Sequence, residues 1–235
     1  MTRRTAPPEL MDDLTRSEGE LRETLLDLGR INRYFGGHAI VRAYLDRVLP
    51  LWQTRTPVQP ALTVLDVATG GADIPVIVAG WAARRGVPVR IVAVDRHPTI
   101  VHLARELTGH SPAIAVLCAD ARALPFRDGS FDVCLCSLAL HHLSPEEGLG
   151  LLRDLHRLAR IGFLVVDLLR SPSGYAGVWL ATRFSHSPLI RHDGPVSVRR
   201  SRSWREYQHL AEATGIPGIR VTRHPFFRVA LARAG

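Results

Sequence analysis

The stretch Val64-Leu65-Asp66-Val67-Ala68-Thr69-Gly70-Gly71-Ala72-Asp73 constrains this chain more than any other. An apolar run that fits a buried strand stops at a turn of small residues, and a helix start follows. A second apolar run, Ile91-Val92-Ala93-Val94, ends in the carboxylate of Asp95. In an α/β sheet this arrangement holds an adenosine-type ligand. The small residues let the backbone approach the ligand, and the acid can accept from two ribose hydroxyls. Nucleotide dehydrogenases use the same geometry, so the rest of the chain has to decide between them.

The remaining pattern alternates. Strands are expected near 62–67, 89–94, 113–118, 131–137, 161–167, 217–223 and 226–232, and helices near 73–85, 98–107, 145–159 and 203–214. Strands separated by helices build a parallel, doubly wound Rossmann-like sheet. The last two strands leave no room for a helix between them. His224-Pro225 supports only a hairpin-like reversal, so the seventh strand is expected to be antiparallel. Ahead of the first strand, Leu21, Leu25, Leu28 and Ile31 recur at helical spacing, Gly36-Gly37 interrupts, and Ala39–Leu49 resumes. Two amphipathic helices are therefore expected as an N-terminal cap over residues 1–56, after a polar, loosely docked stretch at 1–17. The three prolines between 50 and 60 predict a linker into the domain at 57–235. Residues 171–200 interrupt the alternation and read as a long loop over the carboxyl ends of the strands, a lid or substrate wall. Arg33-Tyr34-Phe35-Gly36-Gly37-His38 reads either as a hinge that closes over the ligand or as a plain helix break.

After the third strand, Ala119-Asp120-Ala121 precedes Leu124-Pro125-Phe126-Arg127-Asp128-Gly129-Ser130-Phe131-Asp132-Val133. This block, with the turn and the acidic strand end, resembles the class I S-adenosylmethionine-dependent methyltransferases over about Thr63 to Asp167. The family's glycine-rich turn has Ala68 and Ala72 at its first and third glycine positions here. The segments Ile31–His38 and Ser187–Arg200 are similar to those of bacterial methyltransferases associated with polyketide or quinone-type metabolites. The resemblance implies S-adenosylmethionine as cofactor and S-adenosylhomocysteine as product. It implies that Asp66 orients the turn, that backbone around Ala68, Thr69, Gly70 and Asp73 meets the amino-acid end, and that the Ala72 methyl lies near the methionine end. It further implies that Asp95 holds the ribose with Arg96 beside the adenine, that Asp120 and Ala121 read the adenine, and that Ser137 and Tyr34 complete the site.

Methyl transfer to a hydroxyl also needs a base. His141 and His142 follow the fourth strand, and Asp167 ends the fifth, its expected neighbour. His141 can pair with Asp167, the carboxylate orienting the imidazole. The alternatives are His142 and, within the insertion, His192 with Asp193. A bland reading remains open, in which one histidine caps a helix and the other packs.

Composition excludes several classes. A hydrophobic content of 46% over 235 residues suffices for one α/β domain with an appendage. No apolar run is long enough to span a membrane, and the N-terminus has no secretory pattern, so a cytoplasmic location is expected. Cys118, Cys134 and Cys136 are an odd number in strand-like contexts and are expected reduced and buried. Cys134 and Cys136 would share a strand face but lack two more ligands at metal spacing, so no metal is expected. The net charge of +8 is carried wholly by arginine, since the chain has no lysine. The densest run, Arg199–Arg205, reads as a solvated loop with Ser203 capping a helix, as a contact for an anionic substrate or membrane surface, or as an RNA contact. The expected partner is a small, largely apolar acceptor, most readily a phenolic or quinol oxygen. DNA is not expected. RNA or protein is the weaker alternative, because no Asn/Asp-Pro-Pro-Tyr/Phe follows the fourth strand and no Pro-Cys nucleophile is present. A non-catalytic cofactor-binding regulator is a third reading. A monomer or a homodimer fits equally.

Overall fold

A computed structural model describes residues 7, 9–13, 16–55, 61–109, 111–185 and 187–235, with only the backbone of residue 12. The strands are β1 (Leu62–Val67), β2 (Val89–Asp95), β3 (Ile114–Cys118), β4 (Phe131–Ser137), β5 (Ala159–Leu168), β6 (Arg220–His224) and β7 (Arg228–Ala234). They form one sheet in the order β3-β2-β1-β4-β5-β7-β6. Every pairing is parallel except those of β7 with β5 and β6. The expected antiparallel seventh strand is therefore present. Its hairpin turns at Pro225-Phe226-Phe227, a few residues later than the His224-Pro225 reversal anticipated.

The helices are α1 (Glu18–Tyr34), α2 (Gly37–Arg55), α3 (Asp73–Arg84), α4 (Pro98–Leu107), α5 (Pro145–Leu158), α6 (Pro172–Thr182), α7 (Pro188–Arg200) and α8 (Trp204–Ala213). Capping sets several starts. Ser17 with Glu20, Ser144 with Glu147 and Ser203 with Glu206 close reciprocal capping boxes on α1, α5 and α8. Ser171 and Ser187 cap α6 and α7, each followed by a proline whose missing N–H costs nothing there. Between α1 and α2 the chain turns at Gly36 with φ +83°. A Cβ on Gly37 would come within 2.8 Å of Asn32 Oδ1, so the second helix starts where only glycine fits.

Two expectations need correction. The linker predicted from 50 is helix as far as Arg55: Pro50 sits inside α2, whose face carrying Tyr44, Leu45, Val48 and Trp52 is buried against the sheet. Packing here overrides the helix-breaking preference of proline. Residues 56–60 of that expected linker lie outside the described residues. The insertion at 171–200 is also not a loop but the packed pair α6 and α7. Its alternation was masked because α6 is apolar on nearly every side.

The two sheet faces follow the pleat. Val64, Val133, Leu135 and Leu164 face α2 and α3, whereas Leu65, Cys134, Cys136, Phe163 and Val165 face α5 and α8. Ala93 and Val116 meet α4 through Val101 and Ala104. Cys134 and Cys136 are buried and free, as expected, but Cys118 at the sheet edge is exposed. Leu21 and Leu25 of α1 lie on Ile100 and Leu103 of α4, and α1 also packs on α7. With α6, these helices roof the carboxyl ends of the strands.

Candidate active site

Beneath that roof lies a cavity of about 590 Å³. Its floor is the β1 turn. Asp66 is 1% exposed and accepts from Thr69 Oγ1 at 2.6 Å. Burial, with the charges of Asp73 and Asp95 nearby, pushes its carboxyl up to about 8. Ala68 and Gly70 turn through φ +56° and +53°. Asp95 at the end of β2 accepts from Gly70 N at 3.0 Å and His97 N at 3.1 Å, which fixes its carboxylate at the cavity wall. Asp73, the first residue of α3, accepts from Asn32 Nδ2 at 3.0 Å and lies 2.7 Å from His38 Nε2. The N-terminal helices are thus tied to the turn.

Ala68, Thr69, Gly70, Asp73, Asp95, Arg96, Asp120, Ala121 and Ser137 all line this cavity. Asp120 is held below the usual carboxylate range by hydrogen bonds from Arg122, whose guanidinium it pairs with at 2.6 Å. Two expected residues are placed otherwise. The Ala72 methyl is fully buried among Ala93, Val101 and Ala104, away from the cavity. Tyr34 is 69% exposed and does not reach it; its neighbour Phe35 does.

These residues fit S-adenosylmethionine. Gly70 takes the positive φ that the turn needs at the cavity wall, and Gly71 lets Leu25 pack onto the turn, where a Cβ would come within 3.1 Å of the leucine. Ser137 Oγ is buried with no hydrogen-bond partner among the described residues and lies on a residue that lines the cavity.

At the inner end of the cavity stands a buried polar cluster. His141, 3% exposed, bonds through Nδ1 to Asp167 Oδ1 at 2.6 Å, and Asp167 is fully buried. On the other side of the ring, Nε2 lies 3.5 Å from Glu9 Oε1. Burial opposes charge on the imidazole, but Asp167 and then Glu9 outweigh it and raise His141 to about 10. Burial likewise opposes ionisation of Asp167 and Glu9, and His141 holds both below the usual carboxylate range. His142 stacks on His141 with ring centroids 4.3 Å apart, its Nε2 3.7 Å from Glu9 Oε2. His192 is not brought here. It faces outward and bonds Asp193, which does line the cavity.

Glu9 is not foreshadowed by any motif or spacing. It lies in a polar stretch without periodicity and is positioned by Leu10 N and Met11 N, which donate to the Asp193 carboxylate at 2.8 and 3.0 Å. Arg228 was missed for a different reason: it opens β7, where a strand pattern gives no sign that a charged residue is buried. It is 1% exposed, donates to Phe35 O at 2.9 Å, and is lowered to about 10 by burial. Arg202, expected in a solvated run, is instead 2% exposed and donates to the carbonyls of Leu140, Leu143 and Ser144, pinning the turn that carries both histidines. Ser203 does cap α8.

A parallel sheet with one inserted antiparallel strand and an adenosine-type cradle at its carboxyl edge defines an S-adenosylmethionine-dependent methyltransferase fold. Residues 65–166, a little under half of the chain, match the family model described as a methyltransferase domain. The chain is 26% identical over 164 residues to a demethylmenaquinone methyltransferase of Lysinibacillus sphaericus, covering 69% of this chain and 67% of the relative. It is 30% identical over 151 residues to a ubiquinone/menaquinone biosynthesis C-methyltransferase of Geobacter sp., covering 59% and 62%. The chain thus spans about two thirds of these relatives. Among solved structures it is similar to a SAM-dependent methyltransferase of Aquifex aeolicus, with TM-score 0.53, 21% identity, and 80% and 87% of the two chains covered. It is also similar to an O-methyltransferase family 2 protein of Planctomyces limnophilus in complex with apigenin, with TM-score 0.63, 18% identity, and 95% and 63% covered.

Proposed function

We propose that this protein transfers a methyl group from S-adenosylmethionine to a small, largely apolar acceptor, at a phenolic or quinol oxygen. The observation that carries the reading is the buried Asp167–His141 pair at the inner end of a cavity whose outer wall is Phe35, Val178, Ile190, Phe226 and Phe227. An apolar wall with one polar end suits a flat ring carrying a single reactive hydroxyl.

The bound cofactor supplies an electrophilic methyl on a sulfonium. Asp95 and the β1 turn, which Asp66 orients through Thr69, would hold its ends, and the roof helices would exclude water from the site. The acceptor hydroxyl displaces Glu9 from His141 Nε2. Glu9 carries the Nε2 proton away as it leaves, and the neutral imidazole, held through Nδ1 by Asp167, takes the hydroxyl proton, while Asp167 keeps the ring in register and stabilises the charge it regains. The oxygen so deprotonated would be the nucleophile toward the methyl group that the cofactor would supply, with the thioether as leaving group.

A second reading follows from the relative named as a C-methyltransferase. The same deprotonation makes the ring carbon beside the oxygen nucleophilic, and the products of a quinol panel separate the two outcomes. His141→Ala should lower turnover at least a hundredfold while S-adenosylhomocysteine affinity, read by calorimetry, stays within about twofold. An unchanged rate removes His141 from the chemistry.

A further inference from the structure

The roof over the cavity has an outer face that the methyl-transfer reading leaves unused. On α6, Val178 and Ala181 look into the cavity, whereas Trp179 and Leu180 are 46% and 57% exposed. The exposed face of Gly177 and Leu180 continues beyond the helix to Phe184, which is 80% exposed. A Cβ on Gly177 would meet the Phe227 ring at 2.9 Å, so this face abuts the β6–β7 hairpin, where Phe226 is 52% exposed. Gly177 and Phe226 both line the cavity and both reach solvent, so the cavity opens between them, inside an apolar rim.

Among the described residues, the charged side chains that edge the depression beside that rim are basic. Arg183 lies over the Trp179 ring at 5.3 Å and Arg199 over Tyr175 at 5.5 Å. Together with Arg191 they edge a shallow depression between α6 and α7 that no carboxylate lines among the described residues. Exposed Trp, Leu and Phe interleaved with stacked guanidiniums are what a lipid interface accepts. The rings enter the boundary between headgroups and acyl chains, and the arginines meet phosphate. No described helix is long and apolar enough to cross a membrane, so such a contact lies on the surface.

We propose that the α6 face, with the Phe226 tip and the arginines of the α6–α7 depression, docks on an anionic lipid bilayer, and that the cavity mouth thereby opens toward the lipid. This rests on the apolar acceptor of the preceding reading only for its purpose. An acceptor that partitions into acyl chains would enter the cavity without crossing water.

The test is co-sedimentation of the full chain with vesicles of phosphatidylglycerol and phosphatidylcholine, and with vesicles of phosphatidylcholine alone. The wild type should pellet with the anionic vesicles, and added salt should weaken this. Leu180→Ser/Phe184→Ser should lose at least tenfold in vesicle affinity, and Arg183→Gln/Arg199→Gln should lose the preference for anionic lipid. Both variants should keep wild-type S-adenosylhomocysteine affinity, which shows that they fold. A wild type that stays in the supernatant, a serine variant that binds as the wild type does, or binding confined to an acidic protein would each overturn the proposal. Because the assay needs no turnover, it stands or falls apart from the methyl-transfer reading.

Discussion

Among the described residues, five other than glycine take positive φ: Ala68, Ala72, Leu138, Phe226 and Phe227. All except Ala72 line the cavity. A left-handed conformation costs an L-residue roughly 1–2 kcal/mol, most for a bulky side chain, and such strain collects where function requires it. The sequence made part of this legible. Ala68 and Ala72 stand at glycine positions of the turn, and the backbone there keeps the glycine-like path at their expense. The reversal between the last two strands was legible, but its left-handed tip was not, because Phe-Phe is the opposite of the Asn-Gly pair that such a turn favours. Phe226 is half exposed and packs edge-to-face on Phe35 with centroids 5.5 Å apart. Phe226→Asn therefore relieves strain and loses about 0.5–1.5 kcal/mol of ring contact. Its Tm should stay within about 2 °C of wild type, while KM for an aromatic acceptor rises at least fivefold. A large fall in Tm with unchanged KM would make the ring a structural part only.

Two elements complete the cavity from opposite ends of the chain. The N-terminal stretch brings Glu9, and α7 brings Asp193, which receives the backbone N–H groups of Leu10 and Met11. Neither contact is readable from sequence, because each joins positions more than 180 residues apart and neither has a spacing rule. His141 with Asp167 was readable, because adjacent parallel strands deliver their carboxyl ends to one place. Glu9 faces His141, His142, Ser197 and Arg200. Removing its charge leaves Asp167 as the one carboxylate on the His141 ring, so the imidazole gives up its proton at lower pH. In Glu9→Gln the acidic limb of kcat/KM should move down by about one pH unit. A reduced kcat with an unmoved limb would mean that Glu9 only holds the segment in place.

For the whole molecule the order of elements carried most of the information. Alternating strands and helices, followed by a helix-free pair of strands, specify the observed sheet, and the small-residue turn falls at its switch point. What escaped was the α6–α7 part of the roof, whose helices are held by contacts between distant segments and not by strong periodicity of their own. That roof also makes stability depend on pH. His141 is raised above its unfolded value because the N-terminal segment, the β4 turn and the end of β5 enclose it with two carboxylates. A proton held more tightly in the folded state stabilises it fully below about pH 6.5, and the contribution is lost as pH climbs toward about 10. Wild-type Tm should therefore fall more steeply between pH 7 and 10 than that of His141→Gln, whose amide has no proton to lose in that window. Parallel curves would show that the ring is not held charged, and that the segment carrying Glu9 does not close on it in solution.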